Sequence, residues 1–278
     1  MTGSPFLSED EHRQFDADGF FFRRALFSAD EAAAMLTAVQ SDPLIKQHMF
    51  DRRDNDGRAT IAVQWNHPGD STYGIGARSR HVVEPIETLM GGEVYHWHSK
   101  VTAKEAGVGG AWEWHQDYGY WYMTGCPYPD MMSVMVALDP STEANGCLKV
   151  LSGSHKFGRL DHVRDKSGQA KADPDRVAWA EQNLETVSCE LQPGDGMFFH
   201  SNLLHSSGPN LSDRRRWLLI YCYNAATNEP IIKTHNPMYS PLVKADDLNI
   251  SMDSLRFADG SESFQSDYVK KQIAEAAE

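Results

Sequence analysis

The sequence predicts a mainly β fold, a sandwich or jelly roll with helices packed outside it. Two observations carry this. From Glu93 onward short apolar runs recur, at residues 94–103, 111–117, 132–138, 147–151, 186–190, 197–200 and 215–223. Turn residues divide them, among these Pro140-Ser141, Asn145-Gly146, Ser152-Gly153 and Pro193-Gly194-Asp195-Gly196; short strands at such spacing build sandwiches and jelly rolls. Before Glu93 the signals are mostly helical. No internal repeat or linker splits the 278 residues. A single domain is therefore expected over 1–278, with a helical part at 8–92, a β core at about 93–225 and a C-terminal extension at 226–278.

Taken in order, Ser8-Glu9-Asp10-Glu11 and Ser28-Ala29-Asp30-Glu31 both read as capping boxes. In each, the serine hydroxyl accepts from a free backbone N–H and the glutamate three residues on reaches back. Gly19 is a natural stop for the first helix, and Phe20-Phe21-Phe22 then reads as a short buried strand. The second helix carries Met35, Leu36 and Val39 on its apolar side and must stop by Pro43. Residues 51–80 are polar with few periodic apolar positions, so they read as mostly a long loop of the kind that serves as a lid or substrate contact. Residues 80–90 read as a helix obstructed by Pro85 and closed at Gly91-Gly92. Residues 158–185 read as an inserted loop with one helical piece, and 266–277 as a terminal helix.

Charge and composition narrow the class. The formal charge of −13 argues against a nucleic-acid or anionic-membrane partner, because phosphates need clustered Lys and Arg. Cys126, Cys147, Cys189 and Cys222 are scattered, with no Cys-x-x-Cys pair, as in reduced cytosolic proteins. There is no basic-then-apolar leader and no apolar run long enough to span a bilayer. A cytoplasmic protein acting on a small molecule is the expectation.

The chemistry centres on Trp112-Glu113-Trp114-His115-Gln116-Asp117, followed by Tyr118, Tyr120, Trp121 and Tyr122. On a strand His115 and Asp117 would point the same way with Gln116 turned away, which offers two-thirds of a metal site. A third ligand has several candidates. His96 and His98 share a strand and could face one side together, while His200 and His205 bracket a short segment after an apolar strand. His12, His48, His67, His81, His162 and His235 sit in polar surroundings and read as surface residues.

Four motifs stand in order: His115-x-Asp117; Asn145-Gly146-Cys147-Leu148 running on to Gly153-Ser154-His155; Leu191-Gln192-Pro193-Gly194-Asp195; and His205-Ser206-Ser207-Gly208-Pro209-Asn210 with Arg216 beyond. With Phe15-x-x-x-Gly19-Phe20 they resemble the phytanoyl-CoA dioxygenase family of iron(II)- and 2-oxoglutarate-dependent oxygenases, over roughly residues 10–225. The resemblance implies a double-stranded β-helix, cupin-like, and iron held by His115, Asp117 and His205. It also implies that Arg216, rather than Arg214 or Arg215, takes 2-oxoglutarate, with Ser207 and Lys100 as helpers. Ser152 stands where many members carry Pro.

Two His and one carboxylate leave adjacent positions on iron for 2-oxoglutarate and O2, and the far carboxylate of 2-oxoglutarate suits a planar guanidinium fork. By that analogy the reaction hydroxylates a substrate and releases succinate and CO2. Trp114, Tyr118, Trp121 and His98 are candidates for the substrate pocket. The aromatic set reads either as core or as a pocket wall, the latter favouring a cationic or aromatic substrate. Rival classes are a cupin-type metal-dependent hydrolase or isomerase and a non-catalytic ligand-binding barrel. Halogenation is disfavoured because Asp117 occupies the position that a halide would need.

Overall fold

A computed structural model describes residues 6–164, 169–246 and 248–277. Helix α1 (Glu9–Asp18) is closed by Gly19 in the left-handed conformation and runs into strand β1 (Phe20–Arg23). Helix α2 (Ala29–Ser41) stops before Pro43, and Asp42 caps α3 (Pro43–His48). Both capping boxes form as the serine and glutamate spacing requires. Asp42 also accepts from Tyr73 Oη and Ala258 N, so one buried carboxylate ties three stretches of chain together.

Residues 51–80 are not mostly loop. They contain most of an antiparallel hairpin, β2 (Phe50–Arg53) with β3 (Ala59–Trp65), and then α4 (Thr72–Ala77). The strand period was masked because one face of the hairpin, bearing Arg52 and Gln64, lines a cavity and is polar there. Helix α5 (Arg80–Met90) accommodates Pro85. Proline removes the donor for the His81 carbonyl, and Arg23 Nη1 supplies one from outside at 3.0 Å.

There follow β4 (Val94–Lys104), β5 (Trp112–His115), α6 (Asp117–Met123), β6 (Met131–Ala137) and β7 (Leu148–Leu151). The next stretch holds β8 (His162–Arg164), β9 (Ala170–Ala172) and α7 (Pro174–Asn183), so it carries a small strand pair besides its helix. Then come β10 (Thr186–Cys189), β11 (Gly196–His200), β12 (His205–Ser207), β13 (Arg216–Ala225) and the terminal α8 (Ser266–Ala277).

The strands form two facing sheets. The larger runs β1-β11-β6-β13-β4-β3-β2 and the smaller β10-β7-β12-β5, with antiparallel pairing throughout. From β5 onward the chain passes back and forth between them, which is the jelly-roll path of a double-stranded β-helix. Met35, Tyr73, Val82 and Ile86 of the helices pack on the outer face of the larger sheet, against Val101, Val134, Phe198 and Tyr221. Met131, Met135, Met197, Phe199 and Leu218 fill the space between the sheets with Val150.

One irregularity matters for the site. Cys222 pairs with His98 but Tyr223 pairs with His96, so β4 carries an extra residue, Trp97, at this point. Such a bulge re-aims side chains. His96 therefore turns to the outer layer, against Tyr223, and His98 to the inner one. The two histidines do not share a face.

Burial holds His96 at a pKa of about 3, and burial aided by His155 holds His200 at about 4. Both lie below the ordinary imidazole value of about 6.5, so the fold stabilises the neutral forms. That stability is complete above about pH 6.5 and is lost as pH falls toward the folded values. Denaturant midpoints are expected to drop between pH 7 and pH 4, with a shallower drop in His200→Gln. A flat profile over that range would contradict the assignment.

Candidate active site

The geometry of the candidate metal ligands begins with sheet register. His115 at the end of β5 lies directly opposite His205 at the start of β12, and their ring centroids are 4.1 Å apart. His115 Nδ1 donates to the Glu113 carbonyl at 2.7 Å, and His205 Nδ1 to that of Leu203 at 2.9 Å. Each bond fixes the tautomer that leaves Nε2 as a lone-pair donor. Burial, then the His205 neighbour, pushes the His115 pKa well down, and burial lowers that of His205. Both imidazoles are neutral, as metal ligation requires.

Asp117 reaches the pair by a different route from the one expected. The strand ends at His115, Gln116 is extended at φ −111° and ψ 136°, and Asp117 is the first residue of α6. Gln116 anchors this corner. Its amide donates to the carbonyls of Gly158 and Asn202, its side-chain oxygen accepts from Leu160 N, and its backbone N–H donates to His162 Nε2 at 2.9 Å. His162, read from sequence as a surface residue, is instead partly buried beneath the corner. A Cβ on Gly119 would come within 2.3 Å of the His162 ring, so the first turn of α6 needs glycine there.

Ser133 Oγ donates to Asp117 Oδ2 at 2.8 Å, and Lys100 Nζ lies 3.7 Å from Oδ1. Burial alone would raise the Asp117 pKa, but Lys100, the two histidines and the serine outweigh it and hold the carboxyl ionised. The donor atoms of His115, Asp117 and His205 all lie within 4.8 Å of one another, and the three residues are buried. Two neutral imidazoles and one carboxylate, pre-oriented by outer hydrogen bonds, are a donor set that fits iron(II). His200, the alternative third ligand, faces Phe15 and His155 instead.

A second polar centre lies between the sheets. Arg216 is buried, donates through Nη1 to the Gly146 carbonyl at 2.7 Å, and its Nε has no partner among the described residues. Lys104, directly opposite Arg216 in the sheet and 0 % exposed, donates to Ser207 Oγ at 2.7 Å and the Gly208 carbonyl at 2.5 Å. Burial lowers the Arg216 pKa to about 10; burial, then Arg216, pushes that of Lys104 well down. The buried Arg216 guanidinium, with the Lys104 amine opposite it and no carboxylate bonded to either among the described residues, fits the far end of a dicarboxylate such as 2-oxoglutarate. Gly146 permits the approach, since a Cβ there would stand 2.4 Å from the Gly208 carbonyl. Lys100, expected to help Arg216, stands instead beside Asp117. The lysine near Arg216 is Lys104, two inward-facing positions further along β4 with Thr102 between them, and the sequence does not single it out.

A cavity of about 280 Å3 opens beside His115 and Asp117. His98, Lys100, His115, Asp117 and Trp121 line it, as do Trp112 and Tyr120. Trp114 and Tyr118 lie elsewhere. Trp114 Nε1 donates to Glu181 on the α7 side, and Tyr118 is core, its hydroxyl donating to the Cys126 carbonyl. The hairpin contributes Phe50, Arg52 and Gln64 to the wall, and the C-terminal extension contributes His235, Asn236, Gln265, Tyr268 and Val269. The extension is held in place by Gln64 donating to Gln265 at 2.7 Å and by the His48–Ser266 hydrogen bond. Only contact across the fold reveals these wall residues; nothing in their local sequence marks them.

Comparison with known proteins gives a consistent result. The family model for phytanoyl-CoA dioxygenase (PhyH) matches residues 15–217. The chain is 34% identical over 187 residues to L-proline trans-4-hydroxylase of Streptomyces griseoviridis, covering 62% of this chain and 70% of that one. It is 28% identical over 238 residues to ectoine dioxygenase of Bordetella parapertussis, covering 80% and 77%. The structure of EctD from S. alaskensis with 2-oxoglutarate and 5-hydroxyectoine superposes with a TM-score of 0.70 at 22% identity, over 88% of this chain and 89% of that one.

Proposed function

This chain belongs to the phytanoyl-CoA dioxygenase family, and from that premise we propose a hydroxylase of a small, polar molecule whose iron site is His115, Asp117 and His205. Membership makes it an iron(II)- and 2-oxoglutarate-dependent dioxygenase that hydroxylates a small molecule and releases succinate and CO2. A hydrolase, an isomerase and an inert barrel are thereby set aside. The observation that carries the site assignment is the cross-strand pairing of His115 with His205, with Asp117 brought beside them at the start of α6.

Iron with 2-oxoglutarate supplies the oxidative decarboxylation that delivers an oxygen atom to a substrate C–H bond. The chain's own residues hold and orient. Glu113 and Leu203 carbonyls steer the two imidazoles, Ser133 and Lys100 steer the carboxylate, and Arg216 with Lys104 and Ser207 receives the far carboxylate of 2-oxoglutarate. Trp112, Tyr120 and Trp121, with Tyr268 and Val269 from the extension, shield the cavity from water.

A cavity of about 280 Å3 sits at the lower end of the range for small-molecule pockets, roughly 300–1,000 Å3. It suits substrates on the scale of proline and ectoine, which the names of the relatives carry, and could not enclose a coenzyme A thioester. We place the whole activity on one domain spanning 1–278, working in the cytoplasm on a free metabolite rather than on nucleic acid or membrane; the negative charge and the four scattered cysteines support this.

The test is succinate formation from 2-oxoglutarate across a panel including L-proline and ectoine, with iron supplied and then withheld, and a one-oxygen mass gain in the substrate. No iron-dependent succinate with any compound would defeat the reading. A further expectation concerns the extension. Ending the chain after Gln265 removes Tyr268 and Val269 from the wall, and should raise the substrate KM and the fraction of 2-oxoglutarate consumed without hydroxylation. Affinity for 2-oxoglutarate itself, measured without oxygen, should stay the same.

A further inference from the structure

Two histidines sit two residues apart on β4, and the fold treats them differently. His96 has both ring nitrogens bonded, to the Asn66 carbonyl at 2.8 Å and to Ser99 Oγ at 2.7 Å. His98 is 4 % exposed, and neither of its ring nitrogens has a partner among the described residues. A buried imidazole in that state has given up water and received nothing in return, which proteins avoid outside binding sites. The bulge at Trp97 turns it into the cavity, where it meets the edge of Trp121 at 5.8 Å between ring centroids. The backbone irregularity, the burial and the missing partners all point to a group supplied by a ligand.

The charges around His98 say what kind of group. Asp117 is the only carboxylate among the described residues lining the cavity, and it is engaged by Ser133 and His205. A ligand ammonium would find no acidic partner of its own. Lys100 is the next inward-facing residue after His98 on β4; it pairs with Asp117 Oδ1 at 3.7 Å, and its ammonium has three N–H groups, so it can meet a second acceptor. The Trp112 face, which might have taken a cationic substrate, carries the Arg52 guanidinium 5.2 Å from its ring centre. Burial, then Lys100, pushes the His98 pKa well below its usual value, so the ring is neutral and offers one N–H and one lone pair.

We propose that His98 is the residue that positions the substrate, and that the group it receives, together with Lys100, is a carboxylate on a small molecule. This rests on reading the cavity as the hydroxylation chamber, and it reverses the cationic substrate that the aromatic sequence suggested. The remaining His98 nitrogen, a lone pair once the N–H is given to the carboxylate, is left to accept from the rest of the molecule.

The test uses the full chain loaded with iron(II), with succinate formation as the readout. L-proline, L-pipecolate and ectoine are compared with the amide and methyl ester of each, and with choline as a cation lacking a carboxylate. The acids are expected to stimulate turnover and the neutral derivatives and choline are not. His98→Ala should raise KM for the best acid about tenfold or more with a smaller change in kcat, and His98→Gln, which keeps a donor and an acceptor, should recover part of it. The anaerobic dissociation constant for 2-oxoglutarate should change by less than about twofold. Circular dichroism and thermal unfolding verify that the variants fold, which the absence of His98 hydrogen bonds favours.

Esters or choline stimulating as well as acids, an unchanged KM in His98→Ala, or an equal loss of 2-oxoglutarate affinity would each overturn the proposal. Iron-dependent succinate formation that no acid stimulates would overturn the carboxylate class and leave the oxygenase reading standing. No succinate under any condition would overturn that reading and the proposal with it.

Discussion

Asp117→Ala is expected to abolish iron binding and substrate hydroxylation together. The change removes one of three protein donors and leaves Lys100 and Ser133 facing a buried gap in which the positive charge has lost its partner. Lys100 is 24 % exposed, so solvent screens part of that loss; Asp117→Asn, which keeps the volume and one oxygen, is the companion variant and should retain a trace of metal. Iron stoichiometry after anaerobic reconstitution is the direct measurement, with 2-oxoglutarate consumption beside it. His200→Ala is the control and should keep its iron, because that ring faces Phe15 and His155. Full iron content in Asp117→Ala would show that the carboxylate is not a ligand.

Arg216→Lys is expected to weaken 2-oxoglutarate binding by roughly 10–100-fold, since a compact ammonium replaces a planar fork at a desolvated site. Metal affinity should be nearly unchanged, because Arg216 belongs to the second polar centre and not to the ligand cluster. Lys104→Met should produce a loss of similar size by removing the neighbouring amine donor, and the two effects should not add, because both residues serve one carboxylate. Arg214→Lys should be silent: Arg214 is exposed, and its neighbour Arg215 pairs with Asp139 at 3.2 Å. Anaerobic titration of 2-oxoglutarate into the iron-loaded protein separates these cases. If Arg214→Lys weakened binding and Arg216→Lys did not, the inward face of β13 would be misassigned.

These contrasts show where sequence reasoning succeeded. The capping serines, Gly19, the terminal helix at 266–277 and most strands of the β core follow from local chemistry, because a cap or an alternating apolar run is specified by residues a few positions apart. The hairpin within 51–80 failed the same reasoning. Its inner face is polar where it meets the cavity, so the apolar period that announces a strand is absent. Lys104 carries no local signal that separates it from Lys100, the lysine named from the sequence. Both face inward from β4, and only the pairing of Lys104 with Arg216 tells them apart.

The sequence by itself determined the donor types: a His-x-Asp corner, a later His before Ser-Ser-Gly, and an Arg at the spacing that the family uses. It also determined the mainly β class, through strands and turns that need only near neighbours. The tertiary structure decided everything that depends on two distant segments meeting. Register set His115 against His205, a one-residue bulge separated His96 from His98, and the C-terminal extension brought Tyr268 and Val269 to the cavity wall. Local patterns cannot carry such facts, because a shift of one residue in pairing exchanges the two faces of a strand. The partner across the sheet alone decides which face looks inward.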